Sequence, residues 1–139
     1  MSEVYTYNPA QVKIAIGSHL VTGVADDSFI TIEPNGDGTT VKVGCYGEVN
    51  RSISPNKCYN IKISLLQNSP TNAYLKNRFE MDQESGNGHF PIIIKDLMGQ
   101  EQFSSDIAWV NKPASWGRGK ESSNREWELT CGTGKFKDE

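Results

Sequence analysis

Two histidines, three cysteines and a few neighbouring carboxylates are the residues of this 139-residue chain that could carry chemistry. Thiolates at short spacing bind zinc, but Cys45, Cys58 and Cys131 form no C-x2-C pair, and no H-x3-H pair supplements them. The cysteine count is odd, and the N-terminus (Met1-Ser2-Glu3-Val4-Tyr5-Thr6-Tyr7) lacks the basic and apolar stretches of a signal peptide. Free thiols in a reducing compartment are expected, with Cys45–Cys58 the alternative disulfide. His19, in a hairpin turn, and His89, beside Gly88 in a loop, read as solvated or capping imidazoles rather than general bases. The G-x-S-x-G elbow of a serine hydrolase is absent. Gly132-Thr133-Gly134-Lys135 and Gly117-Arg118-Gly119-Lys120 lack the upstream glycine of a phosphate-binding loop and read as surface turns. Asp26 and Asp27 are adjacent, and neighbours on a strand point to opposite faces, so they cannot converge on one ion. Glu126 and Glu128 do share a strand face, as a solvated stripe or subunit contact rather than a glycosidase pair. The chain is therefore expected to be no enzyme, with no catalytic, metal or cofactor-binding residues.

Aromatic and charged residues point to binding rather than chemistry. Trp109 and Trp127 fall inside strand patterns and are expected in the core or an interface. Trp116 stands in a glycine-flanked loop, exposed, where a tryptophan suits a protein contact. Lys and Arg number 14 against 17 Asp and Glu, a net charge of −3. A protein that holds nucleic acid tightly shows a basic excess, and none is visible here. No apolar run approaches the 20 or so residues of a spanning helix, so no membrane anchor is expected.

Period-two alternation dominates the chain and predicts the strands that must position these residues. Val12, Ile14 and Ile16 form one strand; Gly17-Ser18 turns it into a return strand over His19–Val24. Phe29–Glu33 is a third, stopped by Pro34 and Asn35-Gly36-Asp37-Gly38. A long hairpin follows, from Val41 to Leu66, with Val41, Val43, Val49, Ile61, Ile63 and Leu65 facing inward. The period then changes: Ser69 as N-cap and Pro70 at the first helical position open a helix that ends before Gly86-Asn87-Gly88. Tyr74, Leu75 and Phe79 share its inner face. Strands return at Phe90–Lys95, Phe103–Val110 and Arg125–Cys131, with a loop over Ala114–Ser123. The expected fold is mainly β: a single domain over 1–139, an antiparallel sandwich or barrel of about eight strands with one α-helix. Flexible ends are expected at about 1–8 and 132–139.

Read in order, several stretches resemble the small tail tube proteins of contractile-tailed phages. They are Tyr7–Val12, Phe29–Glu33, Val43–Arg51, Leu65–Leu75, Phe90–Asp96, Ala108–Pro113 and Asn124–Trp127. The most specific part is Gly44-x-x-Gly47-Glu48-Val49-x-Arg51 followed by the Ser69-Pro70-Thr71-Asn72 helix start. The resemblance implies a β-sandwich or barrel that assembles into hexameric rings. The rings stack into a hollow tube that conducts the genome when the surrounding sheath contracts. It implies as partners further copies of the chain, the tail sheath, baseplate and tail terminator proteins, and DNA in passage without stable binding. It also implies a place in the virion tail, after assembly in the host cytoplasm.

A tube wall needs one sheet face on the subunit core and the other, polar and not strongly basic, along a wet channel. Thr31, Glu33, Lys42, Glu48, Asn50, Asn60, Lys62 and Ser64 form the expected lumen face, which sums to neutral. Rings would close by strand pairing between neighbours, a head-to-tail contact that closes by rotation. Stacking would use Met1–Tyr7, Lys135–Glu139 and above all a polar loop made of Asn50, Arg51, Ser52, Ile53, Ser54, Pro55 and Asn56. The alternatives are a tube subunit of a bacterial injection or secretion machine and, from another class, a monomeric β-sandwich module that binds sugar or protein around Trp116.

Overall fold

A computed structural model describes residues 4, 7–25, 28–97, 101–120 and 123–138. The Asp26-Asp27 pair and most of Met1–Tyr7 lie outside the described residues. After a 3-10 turn at Pro9–Gln11 the chain forms β1 (Val12–Ile16), β2 (His19–Leu20), β3 (Ile30–Pro34), β4 (Thr39–Val43), β5 (Val49–Ile53) and β6 (Tyr59–Leu66). Helix α1 (Thr71–Ser85) follows, then β7 (Phe90–Asp96), β8 (Glu101–Lys112), β9 (Asn124–Cys131) and β10 (Gly134–Asp138).

Alternation sets the inner face of each long strand. Ile61, Ile63 and Leu65 of β6 are fully buried, as are Ile92 of β7 and Ile16 of β1, and Trp127 and Leu129 of β9 are nearly so. All pairings are antiparallel, in the order β2-β1-β7-β8-β9-β6-β3. The sheet curls until Ile32 of β3 and Ile94 of β7 line one small cavity with Phe103 and Phe136. One core results, closed on a further side by α1 through the fully buried Leu75. Truncating such a side chain typically costs about 2–5 kcal/mol.

The helix is bolted on by polar groups at its first turn. Its bounds begin at Thr71, one residue past the expected start; Pro70 just before it already adopts helical angles (φ −64°, ψ −19°) and makes no side-chain cap. Ser69 Oγ accepts from Thr71 N–H (3.3 Å) and donates to the Thr22 carbonyl. Asn72 accepts from the Trp127 indole N–H (2.9 Å) and donates to the Leu66 carbonyl (2.9 Å). Gly23 sits beneath this joint at φ +68°, where a Cβ would meet the Ser69 side chain at 2.7 Å. At the far end Gly86, at φ +75°, ends the helix as expected, its N–H on the Asp82 carbonyl.

Three expectations are corrected. Only His19–Leu20 of the anticipated His19–Val24 strand pairs with β1, and Val24 instead makes a single bridge to Leu65. The C-terminal stretch is not a loose tail. Cys131 pairs with Ala108 and Gly134 with Ser105, so β10 continues β9 along β8 in the same register across the break at Gly132-Thr133. Phe136 drives this by packing on Phe103 and Tyr59, at centroid distances of 4.9 and 5.7 Å. Third, the hairpin does not run unbroken from Val41 to Leu66. β4 and β5 pair only with each other and form a separate two-stranded ribbon. Val41, Val43 and Val49, expected inside, are each more than 60% exposed.

Candidate assembly interface

Among the described residues, no three His, Cys, Asp or Glu side chains come together around an ion site. Cys45, Cys58 and Cys131 are unpaired, and Cys58 Sγ donates to the Gly132 carbonyl (3.3 Å). His89 is exposed. His19 is not simply solvated: Nε2 lies 2.9 Å from Thr71 Oγ1 and the ring stacks on Tyr74 at 4.6 Å, fastening the β1–β2 turn to α1. Glycine loops 117–120 and 132–135 separate in fate, the first an exposed turn and the second the entry to β10.

Two surfaces remain that the fold builds and leaves uncovered. The first is the outer face of the curled sheet. Registry places Thr31 beside Lys62 and Lys62 beside Glu128, and Glu33 beside Asn60 and Asn60 beside Thr130. Ser64 pairs with Glu126, and Thr130 with Trp109. Thr31, Glu33, Asn60, Lys62 and Ser64, five of the predicted lumen residues, thus share one surface. Lys42, Glu48 and Asn50 do not, because they belong to the separate ribbon. In their place the tertiary fold brings Glu126, Glu128, Thr130, Trp109 and Lys112, contributed by β8 and β9. Glu126 and Glu128 were legible as a strand stripe; that the stripe lies beside β6 is decided by strand order. Trp109 is half-buried on this face rather than in the core. On this β3–β6–β9 patch three carboxylates (Glu33, Glu126, Glu128) face two ammonium groups (Lys62, Lys112), faintly acidic instead of neutral, while the β1–β7–β10 part of the same sheet face carries Lys13, Lys95, Lys135 and Lys137. The Lys62–Glu128 pair, at 3.8 Å and largely solvated, adds about 0–1 kcal/mol.

The second surface is the β4–β5 ribbon. Thr39, Val41 and Val43 lie opposite Ile53, Arg51 and Val49, so alternation collects Val41, Val43, Val49 and Ile53 on one side. These four are 62–71% exposed, and no residue of either strand is buried. The turn is tied locally: Gly44 N–H donates to the Glu48 carbonyl (2.7 Å) and Tyr46 N–H to Glu48 Oε2 (3.2 Å). The Asn50–Asn56 stretch predicted as a loop is half strand. Asn50 to Ile53 pair with β4, and only Ser54, Pro55 and Asn56 link onward, with Asn56 Nδ2 donating to Asn35 Oδ1 (3.3 Å).

The ribbon thus exposes an apolar face and the curled sheet a polar one, and comparison with known proteins gives the family. The chain is 32% identical over 133 residues to structural protein ORF10 of Pseudomonas phage KPP10, covering 90% of this chain and 77% of that protein. Its fold is similar to the sheath/tube terminator of the PVC extracellular contractile injection system in the extended state (TM-score 0.65, 11% identity, 98% of this chain and 99% of that one). It is also similar to the anti-feeding prophage cap that terminates the AFP tube (TM-score 0.60, 10% identity, 100% and 95%). The PVC sheath–tube complex gives a TM-score of 0.58 at 11% identity, over 97% and 93%. At these identities the solved structures speak to the fold alone. The family model for the bacteriophage PhiTE tail tube protein matches residues 8–136. With its core, its curled sheet and nearly all its length accounted for, the chain belongs to the bacteriophage PhiTE tail tube protein family.

Proposed function

We propose that this protein is the repeating subunit of a phage tail tube, forming hexameric rings that stack around a channel for genome ejection. The observation that carries the reading is the β4–β5 ribbon, with four aliphatic side chains 62–71% exposed and no core beneath them. A lone two-stranded hairpin is marginal in water, and such a ribbon needs another surface to cover it. A copy in the next ring supplies that surface, which moves the stacking role from the predicted Asn50–Asn56 loop to the ribbon as a whole. Ring closure uses the free edge of β3, which pairs on one side only. The faintly acidic face around Glu33, Lys62, Glu126 and Glu128 lines the channel, where a surface without basic excess lets DNA slide. Sheath, baseplate and tail terminator proteins are its partners in the virion tail, after assembly in the host cytoplasm.

Purified protein examined by light scattering and negative-stain microscopy tests this. Rings and tubes are expected from the wild type, and rings without tubes from Val43→Asp/Val49→Asp. A monomer at all concentrations overturns it, and tubes from the double variant overturn the stacking role of the ribbon.

A further inference from the structure

The side of β9 opposite the polar face opens on a groove of about 660 Å3 between the first half of α1, the Pro113–Trp116 turn and Arg125. Trp127, 1% exposed and fixed by Asn72, forms its floor; Phe79, Pro113 and the 68% exposed Trp116 form its walls. Its charge opposes that of the molecule. Lys76 and Arg125 line it, and Arg118 stacks over the Trp116 ring at 4.3 Å, against the single acid Glu80. Three cations and one anion make +2 on a chain of net −3. Arg125 is also incompletely satisfied: Nη2 donates to the Ala114 carbonyl (3.3 Å), but Nε is buried without a hydrogen-bond partner. A buried charged donor left unpaired is costly, and a carboxylate is its strongest partner.

We propose that this groove receives an acidic peptide segment of a different protein, a carboxylate flanked by aliphatic side chains. The carboxylate meets Arg125 and Lys76, and the aliphatic groups cover Trp116, Phe79 and Pro113. The ribbon of a second copy suits the groove poorly, because Lys42 and Arg51 outweigh Glu48 and bring like charge. The groove also lies across the sheet from the face assigned to the channel, so a partner here leaves that face free.

Two experiments test the inference. A photoreactive benzoylphenylalanine at position 116 in assembled particles should cross-link to a peptide of another protein in which Asp and Glu outnumber Lys and Arg. In parallel, the purified subunit is titrated with an acetylated, amidated Leu-Glu-Asp-Ile-Leu peptide, followed by tryptophan fluorescence. Its Gln/Asn counterpart should bind at least about tenfold more weakly, as should the acidic peptide to Lys76→Glu, whose exposed position leaves folding intact. Cross-links only to this chain or to nucleic acid, no cross-link, or peptide binding indifferent to both charge changes overturns the proposal. Tube assembly by the Val43→Asp/Val49→Asp variant bears only on the stacking reading, so the two can fail separately.

Discussion

Asn72 uses both ends of its amide to join helix and sheet, accepting from Trp127 and donating to Leu66. Asn72→Ala leaves a buried indole N–H without a partner, while the Leu66 carbonyl keeps the Ser69 N–H (3.0 Å), and a loss of about 1–3 kcal/mol in denaturant unfolding is expected. Trp127→Phe in the same background removes the orphaned donor and should recover part of it. Gly134 is constrained differently. A Cβ there would lie 2.6 Å from the rings of both Phe103 and Tyr59. Gly134→Ala should therefore cost about 1–3 kcal/mol and raise hydrogen exchange selectively in β10. Uniform exchange across the sheet would show that β10 does not open on its own.

The elements divide by what holds them. β6, β9 and β8 carry alternating large apolar residues and build the core, whereas β4 and β5 contribute nothing to it. Aspartates at Val43 and Val49 should thus leave the isolated subunit's stability within about 0.5 kcal/mol of wild type by thermal melting, while stopping tube growth. A large fall in stability would mean that the ribbon packs on its own subunit. β8 serves two partners in succession along one edge, β10 beside Glu101–Ser105 and β9 beside Ala108–Lys112. On the other edge of β8 the register with β7 shifts between Ser105 and Ala108, and there Ser105 Oγ donates to the Ile107 carbonyl (3.1 Å) and accepts from its N–H (3.4 Å).

On the scale of the whole molecule, charge is sorted by patch. The β3–β6–β9 part of the polar sheet face holds three carboxylates and two ammonium groups, its β1–β7–β10 part holds four lysines, and the groove beside α1 is cationic. Glu126→Lys/Glu128→Lys changes the polar face by four charges without touching the core. Tubes should still form, but their DNA affinity should rise and become strongly salt-dependent, measured by co-sedimentation at increasing salt. Unchanged DNA affinity would place that face away from the channel.

Local chemistry determined much of this protein. Strand alternation at Ile61, Ile63 and Leu65, the proline and glycine that bound α1, and the exposure of Trp116 could all be read residue by residue, because each depends on periods and turn preferences a few residues long. Tertiary structure alone decided the rest. Val41, Val43 and Val49 alternate as regularly as Ile61 and Ile63, yet one set is exposed and the other buried. Alternation says that two faces differ, but only the order of strands says whether anything lies against the apolar one. By the same logic Glu126 and Glu128 join Lys62, and Phe136 recruits the C-terminal stretch to the sheet, through pairings between residues far apart in the chain.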